Sequence, residues 1–477
     1  MRDDEGEDPL PIELGPVSNG EFNPLPISPV ARETVCRTRD AIDHQASRLG
    51  VSRRSFLRTS MASAVMLMTL DACSSEERAS RGKPAGGTLR VPESTTTTST
   101  PPSTDFVMDV QTHFLDFGEH PDAFDFGAVF PQTACGESDA QLCYSIEHYL
   151  EEIFLRSDTR VAVVSAIPFA PEDSALTIED MERVRRIADQ LCDDGRILMH
   201  GQALPAYGPL DVQLAAMEPL VVEHPIAAWK VYTHAPGQGW FLDDHDASRP
   251  QVGNAFLDKV REVGPPIVCV HKGLAGGSRF ASPVDIGPAA RAHPDLSFVV
   301  YHSGYESSQR EGPYDPDGSG INRLIRSLSD AGITPGQNVY AELGSTWYLL
   351  MRDLDAAAHA LGKLLVAVGP DNIIWGTDSI WFGSPQSQLD AFRAFEISTE
   401  YQERYGYPAL TDEVKQKILG GNAARLYDID PFSNACEFSP EDIMAARQAL
   451  PLRPASYGPR TARAVQTLAS DHGWVGF

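Results

Sequence analysis

The chain has no CxxC pair among its seven cysteines, no surplus of positive charge and no apolar run long enough to cross a bilayer. Each absence removes a class of answer. Cys36, Cys73, Cys135, Cys143, Cys192, Cys269 and Cys436 are too sparse for a disulfide scaffold and lack the paired spacing of a zinc ribbon or a dithiol redox site. Cys135 and Cys143 stand near enough to bridge, but they are read as two buried thiols. Acidic residues outnumber basic ones by 66 to 39, a formal charge of -27 that repels phosphate backbones and anionic lipid heads. Nucleic acid is therefore not an expected partner. The apolar run from Met61 to Leu70 is roughly half of the ~20 residues that a spanning helix needs.

What remains is a globular composition, 42% hydrophobic, in a chain of 477 residues. Its amino-terminal part reads as an address rather than a fold. Residues 1–50 are Pro-rich, acidic and without apolar periodicity, and are expected to be disordered. Residues 51–73 follow with the basic pair Arg53-Arg54 ahead of the apolar run, and residues 74–104 form a Ser/Thr/Pro linker with nothing to bury.

From there eight apolar runs of strand length recur: FVMDVQTHF (106–114), RVAVVSAIP (160–168), ILMHGQALP (197–205), IAAWKVYTH (226–234), PIVCVHKG (266–273), SFVVYHSG (297–304), NVYAELG (338–344) and IIWGTDS (373–379). Segments with apolar residues at helical spacing fall between most of them, among them TIEDMERVRRIADQLC and INRLIRSLSDAG. Strand and helix alternating eight times predict an α/β fold, a (β/α)8 TIM barrel over residues 105–430. An open doubly wound sheet is the fallback, and the first strand lacks the Gly-rich turn of its nucleotide-binding versions. The stretch from Glu119 to Leu155 reads as a lid, and residues 431–477 as a short helical extension.

Several of the runs end in histidine, aspartate or glutamate, where barrel strands converge on one pocket. Alternation places Asp109, Gln111 and His113 on one face of the first strand and Lys230, Tyr232 and His234 on one face of the fourth. His113, His271 and Asp378 offer two imidazoles and a carboxylate, a donor set suited to Zn²⁺ or another first-row divalent ion with a position open for water.

Through DVQTH, VCVHKG, VVYHSG, WGTDS and the closing GNAARLY, the segment from Asp105 to Tyr427 resembles the amidohydrolase superfamily. The similarity is to its second branch, typified by aminocarboxymuconate semialdehyde decarboxylase and related hydrolases. The resemblance implies metal ligands at Gln111, His113, His271 and Asp378, and a water-deprotonating base at His302. Gln111 departs from the family's histidine and brings only a neutral amide oxygen. Lys230 is read as one half of an ion pair lining the barrel, with Glu342 as its partner or as a substrate contact. His234, Lys272, Arg279, Tyr305 and Glu306 stand where they could read substrate.

The activity so implied is a metal-dependent hydrolase acting on an amide, lactone or other ester. A decarboxylase of the same branch and a non-catalytic cell-surface binding protein are the alternatives. SRRSFL (Ser52 to Leu57) also resembles the twin-arginine export signal, which implies the translocation machinery as a partner and a location outside the cytoplasm. LDAC is similar to a lipoprotein cleavage box with Cys73 as the lipidated residue, though Asp71 is atypical there. Replacing Arg53 and Arg54 together by lysine should hold the protein in the cytoplasm. Cell fractionation reads the outcome, and unchanged export of the double variant would assign it to another route.

Overall fold

Eight of the apolar runs form eight parallel strands, in the order in which they occur. The computed structural model describes residues 8–91, 105–121, 123, 135, 137, 139–192, 195–431, 440–453 and 458–471. A first strand, β1 (Gly87–Leu89), lies outside the barrel. The barrel strands are β2 (Met108–Thr112), β3 (Val161–Val164), β4 (Ile197–Gln202), β5 (Ile226–Tyr232), β6 (Ile267–His271), β7 (Ser297–Tyr301), β8 (Val339–Glu342) and β9 (Ile373–Ile374). Each pairs in parallel with the next. The ring closes where Val110 N donates to Trp375 O, Asp378 N to Gln111 O and His113 N to Ser379 O. This is the eight-stranded barrel expected from the repeating strand and helix pattern.

The helices between the strands follow their sequence signals. Ile178–Leu191 opens on a capping box between Thr177 and Asp180. Gly253–Val263, Ile321–Ala331 and Leu354–Ala367 cover other faces of the barrel. Met108, Val110, Val161, Val163, Ala228, Cys269, Val299, Tyr301 and Ile374 fill the interior, closed below by Ala423 and Tyr427. Simple alternation along β2 does not hold. Met108 and Val110 reach the interior cluster, Asp109 bonds Thr377 across the seam, and the register shifts between Asp109 and Thr112. Asn422 of the closing helix donates to Pro370 O and Ile373 O, both at 2.8 Å, and so pins the last strand.

Other expectations are corrected. Residues 8–50 carry helix α1 (Pro29–Leu49), which starts on the Ser28 cap and ends at Gly50 in the left-handed conformation. α2 (Arg53–Leu57) and α3 (Ser60–Ser80) follow, with Met66, Leu67, Leu70 and Cys73 buried. Arg53 pairs with Asp43 and Arg54 with Asp8. β1, in the stretch expected to be linker, pairs antiparallel with β10 (Phe395–Ile397), a short strand between the helices Gln386–Ala394 and Thr399–Tyr405. Tertiary pairing overrides local propensity there. Residues 92–104 and most of the lid's first half lie outside the described residues, while Ala140–Tyr144 and Ile146–Leu150 are helical.

The cysteine reading changes too. Cys135 and Cys143 are joined in a disulfide with their Cα atoms 5.6 Å apart, inside the reach of the bond. Cys192 is also disulfide-bonded, and Cys436 lies outside the described residues. Among the described residues no helix is long and apolar enough to cross a membrane.

α3 is tied to the barrel by a buried ion pair, Arg78 to Asp355 at 3.1 Å, with Arg78 also donating to Gly87 O. Arg78→Met strands the Asp355 charge and should cost about 3–5 kcal/mol in urea unfolding. An unchanged midpoint would place α3 outside the cooperative unit.

Candidate metal centre

The carboxyl ends of the barrel strands gather the residues expected from sequence, and backbone strain marks the place. His302 and Ser303 after β7, Ser345 after β8 and Asp378 after β9 all have φ between 52° and 60°. Each costs about 1–3 kcal/mol, and such residues persist only where the surroundings hold them. Gly344 and Gly376 leave room beneath them, since a Cβ at either would overlap the Glu342 carboxylate.

Hydrogen bonds to carbonyls fix the histidine tautomers, because a carbonyl only accepts. His113 Nδ1 donates to Ser165 O at 2.6 Å, so Nε2 faces Asp378 Oδ1 at 3.1 Å. His302 Nδ1 donates to Gly344 O at 2.7 Å, which leaves its Nε2 to accept from His271 Nδ1 at 3.3 Å. His271 Nε2 is then a buried lone pair without a hydrogen-bond partner, 3.5 Å from Glu21 Oε1. Nitrogen lone pairs facing carboxylate oxygens need a proton or a cation between them.

Among the described residues, the one group of three whose ligand atoms all lie within 4.8 Å of one another is Glu21, His271 and His302. Nitrogen and oxygen donors in this number suit a first-row divalent ion. His113 and Asp378 form the neighbouring pair, and Gln111 donates its amide to Asp378 Oδ1 at 3.0 Å, with its own Oε1 unpartnered. Asn19, Glu21, Gln111, His113, Tyr232 and Asp378 line a cavity of about 20 Å³, the space of a single water.

Electrostatics follow from burial. Burial and the nearby Asp378 charge push the Glu21 carboxyl up to about 8. Burial would also raise Asp378, but hydrogen bonds from its neighbours, His113 and Ser345 among them, outweigh it and hold that carboxyl below its ordinary range. Burial lowers His302 to about 4 and His271 well below the usual imidazole value, so both rings are neutral near pH 7.

The remaining expected site residues divide. His234 stands at the site, its ring 4.9 Å from that of His271, and burial lowers it to about 3. Among the described residues Lys230 forms no ion pair. Its Nζ lies 3.4 Å from the Tyr301 ring centroid without a hydrogen-bond partner, and burial lowers it to about 8. Glu342 instead accepts from the backbone N–H groups of His302 and Gly344, and burial raises it to about 8. Lys272 is committed to Asp285 at 2.9 Å, with both side chains fully buried. Arg279 pairs with Asp246 at the surface and Glu306 with Arg323. Tyr305 is buried, and its backbone carbonyl accepts from Leu274 N. These loop groups hold loops.

Sequence reasoning missed Asn19, Glu21 and Ser345. Ser345 Oγ donates to Asp378 Oδ2 at 2.5 Å, and Asn19 Nδ2 donates to the same oxygen at 2.8 Å. Nothing periodic marks the first two, which sit in a Pro-rich acidic stretch. Hydrogen bonds hold that stretch over the barrel mouth: Ser18 N to Pro459 O, Gly276 N to Glu21 O and Arg352 Nη1 to Gly15 O.

No curated protein matches the chain. Solved structures that are similar include an uncharacterised TIM-barrel protein from Bordetella bronchiseptica, 14% identical over 68% of this chain and 98% of that one, with a TM-score of 0.45. A 2,6-dihydroxybenzoate decarboxylase from Rhizobium is 15% identical over 68% and 99%, at 0.39. A manganese-bound 5-carboxyvanillate decarboxylase from Novosphingobium aromaticivorans is 13% identical over 68% and 98%, at 0.40. The sequence profile of the amidohydrolase family matches residues 108–429, which span every barrel strand and the strand-tip histidines, and the chain belongs to that family.

Proposed function

We propose that this protein is a metal-dependent hydrolase that cleaves an amide, a lactone or another ester. The observation that carries the reading is the pair of buried imidazole nitrogens, His271 Nε2 and His113 Nε2, each turned towards a carboxylate oxygen at the strand tips. A divalent cation bound there makes water nucleophilic near neutral pH and polarises a carbonyl oxygen. His113, His271 and Asp378 would hold it.

His302 is the group to take the proton. Its Nδ1 is committed to Gly344 O, so Nε2 is the ring's basic atom, and burial keeps the ring unprotonated. Glu342 holds it in place through the His302 backbone N–H at 2.9 Å. Tyr232, stacked on His271 at 5.0 Å between centroids, fixes the plane of that ring. Export remains part of the proposal: the Cys135–Cys143 disulfide supports an oxidising compartment.

Elemental analysis of full-length protein purified without chelator should find about one divalent ion per chain, and His271→Ala should lose it while the barrel stays folded. Full retention in His271→Ala would place the ion elsewhere. On a panel of lactones, esters and anilides, His302→Asn should keep the metal and lose about two to four orders of magnitude in turnover. Metal loss in that variant would make His302 a ligand. Carbon dioxide release from aromatic acids without hydrolysis of the panel would turn the assignment to the decarboxylase.

A further inference from the structure

The donor set of the barrel strands is one anionic ligand short. Gln111 stands where a charged or imidazole donor would complete the site, but it spends its amide N–H on Asp378 and can offer only a neutral oxygen. A divalent cation held by two imidazoles and the single carboxylate of Asp378 would leave net positive charge in a buried site. Uncompensated charge is costly there.

The amino-terminal arm brings a second carboxylate to that place. Asn19 and Glu21 sit in a tight turn in which Glu21 N donates to Asn19 Oδ1 at 2.9 Å, and both side chains are buried. The Asn19 amide nitrogen donates to Glu21 Oε2 at 2.7 Å and to Asp378 Oδ2 at 2.8 Å. One oxygen of each carboxylate is thereby tied to Asn19. The others face histidine nitrogens: Glu21 Oε1 lies 3.5 Å from His271 Nε2, and Asp378 Oδ1 lies 3.1 Å from His113 Nε2. Glu21 and His271 belong to the group whose ligand atoms all lie within 4.8 Å of one another, and with the His113–Asp378 pair beside it two carboxylates would balance a 2+ charge.

We propose that Glu21 is a ligand of the divalent cation at the strand tips, supplying from the amino-terminal arm the anionic donor that Gln111 does not. Asn19 is a positioning residue that holds the Glu21 and Asp378 carboxylates in register. The inference rests on the metal-dependent reading above and adds that the working enzyme keeps its arm. Residues 8–28 are then part of the site, and the barrel alone lacks one of its donors.

The test is Zn²⁺ affinity, measured by competition with a chelating dye on full-length protein stripped of metal. Glu21→Gln keeps the shape and hydrogen bonds of the side chain and should weaken Zn²⁺ binding by about tenfold or more, at least the scale lost when a group that merely supports a ligand is removed. Gln111→Glu in the same background places a carboxylate on the rigid strand beside Asp378 and should recover most of the affinity. Rescue separates a ligand from a residue that only shapes the arm. Equal thermal melts of the metal-free variants would show that the fold is intact. Unchanged affinity in Glu21→Gln, with loss in His271→Ala, would overturn the inference and leave the metal site standing. Unchanged affinity in both would remove the metal reading itself. Faster turnover in Glu21→Gln at unchanged affinity would make the arm a plug and overturn the inference.

Discussion

A single buried carboxylate, Asp378, organises the mouth of this barrel. It sits beyond the last strand, where its backbone N–H closes the ring on Gln111 O. Its two oxygens gather His113 and Gln111 from the end of the first barrel strand, Ser345 from the seventh and Asn19 from the amino-terminal arm. A buried charge is tolerated only when its lone pairs are met, so each of these donors is part of what allows Asp378 to stay ionised. The left-handed backbone at Asp378, Ser345 and His302 follows from this demand, since each must turn out of its strand to reach the shared pocket.

The same demand explains the amino-terminal arm. The arm buries Ile12, Leu14, Val17 and Phe22 in the main core, and Ser18 and Gly15 bond to the carboxyl-terminal tail and to Arg352. α1 to α3 then wrap against the barrel wall, held by the Arg78–Asp355 pair and by β1 against β10. With the arm in place the cavity at the strand tips has room for one water.

Much of the architecture was legible because it is local. Apolar runs of strand length mark all eight barrel strands to within a few residues, and amphipathic spacing marks the major helices between them. The structure brings His113, His271, His302 and Asp378 together because strand tips of a barrel converge whatever the loops do. The failures have a common cause. Phe395–Ile397 is strand because Gly87–Leu89 pairs with it from across the chain, and Lys272 is spent on Asp285 because the loop after β6 folds back on itself. Lys230 finds no carboxylate because Glu342 is already held by two backbone N–H groups.

The sequence by itself determined the barrel, its closing helix and the placement of His113, His271, His302 and Asp378 at strand tips, all of them encoded in residue pattern and in residue type at strand ends. Only the tertiary structure decided which carboxylates meet those histidines. Asn19 and Asp378 are 359 positions apart, and Asn19 lies in a stretch whose composition reads as disorder. Local pattern records what a segment can bury against its nearest elements. It carries no information about an irregular arm whose scattered apolar residues and polar turn meet their partners only across the whole chain, and so Glu21 and Asn19 became visible only once the chain had closed on itself.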